Sequence, residues 1–310
     1  MKPAVHSISR VVFSVPDLAP AEHFYSAFGL DVRRSGDRLN LFTHDHDHCW
    51  VSIVGNGQSK RLQFLSFGIH AEDEAAMRQK VMQLGLSCEP HPMGDAGGIW
   101  LQTPDGYPVQ LVVEHKVSPS GKGQAIAEPG PARPNAAAPA RSQARRIRPR
   151  YLSHVLVFTS DLPCMLGFCE KVLGLRLSDR SGDQIAFTHG AHGSDHHLLA
   201  LVQSSGPGLH HTSWDVGSVD EVGEGSEQMR KAGFTEGWGV GRHVLGSNHF
   251  YYARDPWGSF AEYSYGIDFI APDTPWQAGN YPPEDSFYLW GPEPAPWFVA
   301  NPEVWGATPV

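Results

Sequence analysis

The sequence has few cysteines, no long apolar run and an excess of acidic over basic residues. Its four cysteines have neither the paired spacing of a thiolate metal site nor the pattern of a disulfide framework. No segment approaches the roughly 20 apolar residues that span a bilayer, and the N-terminus lacks the pattern of a secretory signal. A net charge of -9 does not supply the basic face that nucleic-acid binding requires. We therefore expect a cytoplasmic protein without nucleic-acid or membrane partners.

The length and composition fit two domains joined by a linker. With 41% hydrophobic residues, 310 residues allow each of two domains to bury its own core. The segment between them is rich in Pro, Ala and Arg without apolar periodicity, which favours a solvated linker. We predict a first domain at residues 1–115, the linker at residues 116–150, a second domain at residues 151–269 and an aromatic, proline-rich tail at residues 270–310.

The two halves of the chain are related by an internal repeat. The aligned pairs of segments are Arg10–Leu18 with His154–Leu162, Leu41–His44 with Ala186–His189, Phe64–Ile69 with His211–Val216, and Thr103–Gln110 with Asp255–Glu262. Apolar periodicity and turn residues indicate a strand, a helix and then several short strands, twice in each half. The repeat thus predicts four βαβββ modules. The predicted helices lie near residues 19–28, 72–84, 163–173 and 219–232.

Three residues distinguish the second copy from the first. His154, His211 and Glu262 lie on strand-like stretches of the second half. The aligned residues of the first half are, in the same order, Arg10, Phe64 and Gln110. Two imidazoles and one carboxylate can hold a divalent metal ion and leave coordination positions open. A lone histidine on a strand is more often a core residue, but three such residues at matched positions indicate one metal site per chain.

A signature around the third of these residues carries a resemblance to a known family. The sequence has Gly241-Arg-His243, Tyr251-Tyr252, Asp255-Pro-Trp-Gly258 and then Glu262. With these residues and the repeat, residues 7–268 resemble the vicinal oxygen chelate superfamily and, within it, the type I extradiol catechol dioxygenases. Only Tyr251 departs from the signature, where an aliphatic residue or Phe is usual. The resemblance implies an α+β fold of two domains, each pairing two βαβββ modules in a curled, incomplete barrel, with metal in the second domain alone.

The resemblance also implies roles for the residues of the site. The two histidines and the carboxylate would bind Fe(II), although ligand type does not separate Fe(II) from Mn(II). His197 would act as the acid/base, a task suited to a group that titrates near neutral pH. His243 and Tyr252 would hydrogen-bond the oxygens of the substrate.

Two adjacent histidine pairs leave an alternative open in the sequence. His210 competes with His211 as the metal ligand, and His196 competes with His197 as the acid/base. The resemblance favours the second member of each pair, since His211 directly precedes the apolar strand. Alternation along a strand would direct the neighbouring side chain to the other face.

These residues lead to a specific functional prediction. We expect an Fe(II)-dependent extradiol dioxygenase that uses O₂ to cleave an aromatic diol next to its vicinal hydroxyl groups, and we expect it to be a homo-oligomer. One alternative is a metal-dependent lyase or isomerase of the glyoxalase kind, which usually spreads its ligands over both modules. The other is a non-catalytic small-molecule-binding protein of the same fold, which has no need of three metal ligands together with Tyr252.

Two other segments resemble functional motifs but are assigned structural roles. The run His44-Asp-His-Asp-His48 has the density of a metal site, but the surrounding strands offer no further ligands. We therefore expect a solvated hairpin tip there. In the tail, aromatic residues alternate with prolines, and we expect this segment to wrap over the mouth of the barrel.

The same tail lacks basic residues. After Arg254, no Lys or Arg occurs through Val310. A carboxylate buried without a cation or hydrogen-bond partners is strongly disfavoured. We therefore expect the enzyme to prefer neutral, hydrophobic or aromatic catechols, unless Arg180, Arg242 or Arg254 reaches the pocket.

Overall fold

The computed structural model describes residues 2–44, 46–122, 140–272 and 274–304 and consists mostly of strands. The strands are β1 Val5–Val15, β2 Asp31–Ser35, β3 Arg38–Phe42, β4 Val51–Gly55, β5 Arg61–Ile69, β6 Ile99–Gln102, β7 Pro108–Val113, β8 Leu152–Thr159, β9 Arg176–Ser181, β10 Ile185–His189, β11 Ser194–Asp195, β12 Leu199–Gln203, β13 Gly208–Asp215, β14 Gly237–Arg242, β15 His249–Arg254, β16 Phe260–Tyr265, β17 Phe269–Ile270 and β18 Gly279–Tyr281. The α-helices are α1 Leu18–Phe28, α2 Glu74–Gln83, α3 Leu162–Phe168 and α4 Val219–Lys231. Within the described residues, no helix is long and apolar enough to cross a membrane.

Two open sheets repeat one strand order. The first sheet has the order β2-β3-β4-β1-β5-β7-β6. The second, read in the same sense, has β9-β10-β12-β8-β13-β16-β15, with β18 and β14 added at its two edges. The predicted fold class is therefore confirmed. One module is reduced, because its remaining strand is represented only by an isolated bridge between Ser87 and Leu101.

The repeated sequence motif at the start of each half caps a helix. Asp17 precedes α1, and its carboxylate accepts a hydrogen bond from the backbone N–H of Ala19. Asp161 precedes α3 and accepts one from the backbone N–H of Cys164. These bonds satisfy amide groups that the first turn of a helix leaves unpaired. The first strand of each half therefore leads into its helix in the same way, which explains the local sequence identity.

The strand register places the aligned residues at equivalent positions. The Cα partners are Arg10 with Ser66, Ser66 with Gln110 and Gln110 with Trp100 in the first sheet, and His154 with Ser213, Ser213 with Glu262 and Glu262 with Tyr252 in the second. Arg10 thus occupies the position of His154, and Trp100 that of Tyr252. By the same register, Phe64 occupies the position of His211, since their partners are the equivalent residues of β1 and β8.

The first half fills the space around these positions with apolar side chains. Val12, Val54, Phe64 and Trp100 form a separate buried cluster. The rings of Phe64 and Trp100 meet edge to face with centroids 4.9 Å apart, a favourable aromatic geometry. Gln110 is held by Ser66, whose hydroxyl donates to Oε1 at 2.7 Å. The first half is therefore packed where the second half carries its candidate ligands.

A buried ion pair connects the two halves. Lys60, just before β5, donates to Oδ2 of Asp255 at 2.6 Å, and both side chains are nearly inaccessible to solvent. The other carboxylate oxygen of Asp255 accepts from the backbone N–H groups of Trp257 and Ser259. This turn leads directly into β16. The first half therefore helps to fix the strand that carries Glu262.

Three arginines at the end of the predicted linker contact the folded body. Arg141 pairs with Glu227 at 2.5 Å, and Arg150 donates to Asp215 at 2.6 Å. Arg146 donates to a backbone carbonyl on α1. The sequence favours solvation for this segment, but acidic partners on α4 and β13 lie within reach of its arginines. Residues 123–139 of the predicted linker lie outside the described residues.

Candidate metal centre and active site

Three adjacent strands bring the predicted ligands together. His154 lies on β8, His211 on β13 and Glu262 on β16, and these strands are neighbours in the sheet. The Nε2 atoms of His154 and His211 lie 3.2 and 3.6 Å from Oε2 of Glu262. One ligand atom from each residue lies within 4.8 Å of the others, and all three residues are buried. Across the described ranges, this is the only such group of His, Cys, Asp and Glu residues.

Two buried atoms of this group have no hydrogen-bond partner within the described residues. They are Nε2 of His211 and Oε2 of Glu262. A buried polar atom without a partner is costly, and a buried carboxylate needs a positive partner. A divalent cation at the point where the three side chains converge would satisfy both atoms. Two imidazoles and a carboxylate are a donor set that binds divalent metal ions, so these three residues fit such an ion.

The neighbouring His210 orients the candidate ligand His211. The Nε2–H of His210 donates to the carbonyl oxygen of Phe298 at 2.8 Å, because a carbonyl can only accept. Nδ1 of His210 is then an acceptor, and it lies 2.7 Å from Nδ1 of His211. His211 must therefore donate from Nδ1, which leaves the lone pair of Nε2 directed at Glu262. Such an outer hydrogen bond is the usual means of fixing the tautomer of a ligating histidine.

Burial and charge prepare the side chains for binding a cation. Burial and the neighbouring His210, His154 and His243 lower the pKa of His211 well below its usual value. Burial tends to raise the pKa of Glu262, but the nearby imidazoles of His154 and His243 lower it overall. A neutral imidazole and an ionised carboxylate are the forms that bind metal.

His197 faces the same cavity from the loop between β11 and β12. Its ring lies 4.0 Å from that of His154 and 4.8 Å from that of Phe187, measured between centroids. Burial and the imidazole of His154 lower the pKa of His197 well below its usual value. His196 is directed away from the cavity, and its Nε2 lies 2.7 Å from Oδ2 of Asp179.

His243 and Tyr252 form a hydrogen-bonded pair beside the candidate ligands. Nδ1–H of His243 donates to the carbonyl of Phe287 at 2.9 Å, so its Nε2 accepts from the hydroxyl of Tyr252, also at 2.9 Å. Burial and the carboxylate of Glu262 raise the pKa of Tyr252 well above its usual value. The phenol is therefore a neutral group that can turn between His243 and a ligand in the cavity.

These residues line a cavity of about 460 Å³. Apart from its histidines, the lining is mainly apolar and includes Leu156, Ile185, Phe187, Val202, Leu245 and Phe298. The C-terminal tail closes one side, through Pro283, Ser286, Phe287, Phe298 and Val299. The described part of the tail thus wraps over the site as the sequence predicted, and its aromatic rings pack against Trp238 and Phe260. Residues 305–310 of the tail and Asp273 lie outside the described residues.

Within the described residues, no Lys or Arg lines the cavity. The three arginines that the sequence left in question have other partners. Arg180 pairs with Asp183 at 3.6 Å, and Arg242 donates to the carbonyl of Ser247 at 3.0 Å. Arg254 pairs with Glu236 at 2.6 Å, with its guanidinium over the ring of Trp297. None of these three arginines is among the residues that line the cavity.

The histidine-rich run of the first half lies apart from this site, between β3 and β4. His44 and His46 are exposed, while Asp45 lies outside the described residues. His48 is half-buried and its ring donates to the carbonyl oxygen of Ser9 at 2.7 Å. The described residues of this run agree with a hairpin tip.

Two residues of the site were missed in the sequence. Asn248 donates from Nδ2 to Oε1 of Glu262 at 3.1 Å. Asp179 holds His196, as described above. Neither residue stands in a recognisable motif, because their partners are set by the pairing of distant strands. A search for polar residues in otherwise apolar, strand-like stretches could have found Asn248, which precedes Phe250 and Tyr251 by only a few positions.

The chain is similar in sequence to known proteins. A family model described as Glyoxalase/Bleomycin resistance protein/Dioxygenase superfamily matches residues 151–263. Metapyrocatechase 2 from Cupriavidus necator is 50% identical over 302 residues, which cover 97% of this chain and 93% of that protein.

Solved structures share the fold at lower identity. A Mn(II)-bound glyoxalase from Novosphingobium aromaticivorans matches with a TM-score of 0.74 at 23% identity, over 96% of this chain and 94% of that chain. The 2,2',3-trihydroxybiphenyl 1,2-dioxygenase from Sphingomonas wittichii strain RW1 matches with a TM-score of 0.71 at 19% identity, over 94% and 100% of the two chains. At these identities the matches show similarity of fold.

Proposed function

The chain belongs to the extradiol ring-cleaving dioxygenases of the glyoxalase/bleomycin resistance protein/dioxygenase superfamily, and from this we propose that it is an Fe(II)-dependent enzyme acting on a catechol. It uses O₂ to cleave the aromatic ring next to the vicinal hydroxyl groups. The observation that carries the proposal is the group of two histidines and a glutamate that opens into an apolar cavity. The name of the 50% identical relative supports the same reaction.

We propose His154, His211 and Glu262 as the ligands of the iron. When bound, Fe(II) supplies Lewis acidity for the two oxygens of the diol and a site where O₂ can be activated. A mononuclear site with three protein ligands suits this task, since it leaves room for two further reactants. We propose Fe(II) and not Mn(II) as the metal. Metal analysis of the purified protein distinguishes the two.

His243 and Tyr252 are proposed to bind the substrate oxygens. The hydroxyl of Tyr252 is directed toward His243 and can turn its proton to a diol oxygen instead. The apolar lining holds the ring and excludes water, which strengthens these polar contacts. The pair therefore orients the diol with its two oxygens toward the metal ligands.

His197 is proposed as the acid/base. It lies against His154 on the open side of the ligand group, where the diol and O₂ would meet. A neutral imidazole in this position can take a proton from the diol hydroxyl and return it later in the reaction. The substrate keeps the electron pair of the O–H bond, which increases its charge and its affinity for a cation.

We infer further that the substrate is uncharged. An apolar lining without Lys or Arg among the described residues would leave a substrate carboxylate unpaired. The cavity volume exceeds what a single ring needs, which leaves space for an alkyl or aryl substituent. The homo-oligomeric assembly and cytoplasmic location stay predictions.

The test is anaerobic loading with Fe(II), followed by a panel of catechols with O₂ consumption and product absorbance recorded together. Ring cleavage consumes one O₂ for each diol and gives a yellow product. A glyoxalase-type lyase or isomerase would turn over its substrate without consuming O₂, and a binding protein would give no turnover. Absence of O₂ uptake with every catechol would refute the proposal.

A further inference from the structure

Two further polar side chains, those of His196 and Asp179, form a hydrogen-bonded chain with His197 on the side away from the cavity. Neither has a role in the proposed reaction as described above. Nδ1 of His197 lies 3.1 Å from Nδ1 of His196, and Nε2 of His196 lies 2.7 Å from Oδ2 of Asp179. All three residues are at least nine-tenths buried. A buried carboxylate and two buried imidazoles in line are costly unless each hydrogen bond is made.

The positions of the protons in this chain follow from its last member. An ionised carboxylate can only accept, so Nε2 of His196 carries a proton and donates it to Asp179. Nδ1 of a neutral His196 is then an acceptor. Nδ1 of His197 must therefore carry a proton and donate it to His196. This leaves Nε2 of His197 as the atom with the free lone pair.

The free nitrogen is the one on the side of the cavity. His197 lines the cavity, and within the described residues its ring makes no hydrogen bond except that to His196. His211 is fixed in the same way through His210 and the carbonyl of Phe298. Two neighbouring His-His pairs thus each hold their second ring with Nδ1 protonated.

The C-terminal tail holds the carboxylate in place. The backbone N–H of Gly279 on β18 donates to Oδ1 of Asp179 at 2.6 Å. The indole of Trp276 donates to the carbonyl of Ser178 at 2.8 Å, and its ring contacts that of His196 edge to face. The tail therefore contributes to the same arrangement that orients the acid/base.

We propose that Asp179 and His196 are positioning residues that hold His197 with Nδ1 protonated and Nε2 ready to accept the diol proton. In that step the diol O–H bond breaks, the oxygen keeps its electron pair, and Nε2 of His197 gains the proton. Asp179 then faces a positive imidazolium through His196, which stabilises the charge. The part of the proposal that concerns the diol rests on the proposed function, whereas the proton positions do not.

The substitution Asp179→Asn tests the proton positions. The amide oxygen of Asn must face the N–H of Gly279, which can only donate. Its NH₂ group then faces Nε2 of His196 and requires an acceptor there. His196 must move its proton to Nδ1, and His197 in turn must carry its proton on Nε2. The side of His197 that faces the cavity would change from acceptor to donor.

The direct measurement is ¹⁵N NMR of histidine-labelled protein loaded with Zn(II), which is diamagnetic. The resonances of His197 are assigned by their loss in His197→Phe. We expect Nδ1 protonation of His197 in the wild type and Nε2 protonation in Asp179→Asn. Nε2 protonation in the wild type, or no change in the variant, overturns the proposal. This result does not depend on catalysis, so it stands or falls separately from the proposed dioxygenase activity.

Steady-state kinetics of the Fe(II) enzyme with catechol measure the consequence. We expect kcat of Asp179→Asn to fall by about 10- to 100-fold, part of the contribution of general acid–base catalysis. KM should stay within about twofold, because the residue does not touch the substrate. The control is Asp183→Asn, which alters an exposed carboxylate in the turn between β9 and β10.

A double variant separates positioning from general stability. If Asp179 acts through His196, then Asp179→Asn combined with His196→Phe should be no slower than His196→Phe alone. Metal content and melting temperature are measured on each variant. Multiplicative losses in kcat, or a loss of kcat that follows the loss of metal, would show a merely structural role and overturn the proposal.

Discussion

Asn248 donates its amide hydrogen to one carboxylate oxygen of Glu262 at 3.1 Å, and the other oxygen remains without a partner in the described residues. The same amide also donates to Ser264 at 3.0 Å. The carboxylate is therefore held by one oxygen while the other is directed at His154 and His211. This relationship gives Glu262 a fixed orientation before any cation binds.

Substituting Asn248→Leu should weaken metal binding while the three ligands stay in place. Loss of an outer hydrogen bond to a ligand typically costs about 10- to 100-fold in metal affinity or activity. We expect a rise of that size in the dissociation constant of Fe(II), measured anaerobically by competition with a chelator. The control is Asn56→Leu, which changes a surface turn of the first half. Equal affinities in the two variants would contradict the role of Asn248.

Alanine in place of His154, His211 or Glu262 should abolish turnover and lower the metal content. Two remaining protein ligands do not hold a divalent ion against water. Iron is measured by elemental analysis after anaerobic loading and gel filtration. His44→Ala and His46→Ala serve as histidine controls and should keep both iron and activity. Full iron in His211→Ala would transfer the ligand role to His210.

The variants His197→Phe and Tyr252→Phe should lose rate but keep iron. General acid–base groups typically contribute about 10²- to 10⁴-fold to the rate, and neither residue is a proposed ligand. Iron content, kcat and KM are measured on the same preparations. Near-normal turnover of His197→Phe, together with loss of turnover in His196→Phe, would show that the other histidine is the acid/base.

Uncharged catechols should be better substrates than carboxylated ones. We expect kcat/KM for 3- and 4-alkyl or aryl catechols to exceed that for dihydroxyphenylacetate and dihydroxybenzoates by at least about tenfold, or about 1.4 kcal/mol. Gln184 lines the cavity from an exposed position, so Gln184→Arg should narrow this gap by placing a solvated cation at the entrance. A clear preference of the wild type for acid-bearing catechols would refute the prediction.

Breaking the ion pair between the two halves should destabilise the protein. In Lys60→Met, the carboxylate of Asp255 stays buried without its cation, and such a loss typically costs about 3–5 kcal/mol. The free energy of unfolding is measured by denaturant titration. The exposed pair of Arg33 and Asp31 gives the control Arg33→Met, which should cost less than about 1 kcal/mol. Similar costs in both variants would contradict the importance of the buried pair.

The sequence predicted the parts of the molecule that follow from local pattern and from the repeat. Because side chains alternate along a strand, aligned segments such as Arg10–Leu18 and His154–Leu162 must take equivalent faces in two copies of one sheet. The fold class and the meeting of His154, His211 and Glu262 follow from that alignment. The helix near the start of each half was predicted from its apolar periodicity, and the structure adds the aspartate that caps it.

The remaining features depend on pairing between distant segments. Asp179 meets Gly279 only because β18 of the tail adds to the edge of the second sheet, next to β9. Lys60 meets Asp255 only because the two halves pack together. Composition alone favoured a solvated linker. The acidic partners of Arg141 and Arg150 are distant in sequence and come close to them only in the folded protein. No local pattern encodes these contacts.

The apolar cluster of the first half limits how this protein could acquire a second centre. Its residues Val12, Val54, Phe64 and Trp100 stand at the positions of Leu156, Val202, His211 and Tyr252, which line the cavity. Replacing only the three ligand positions would place donor atoms in a solid core. Replacing those core residues by smaller ones would leave a cavity and lower the free energy of unfolding. The two halves therefore differ in packing at equivalent positions. The first half has a packed apolar cluster there, and the second half has the cavity.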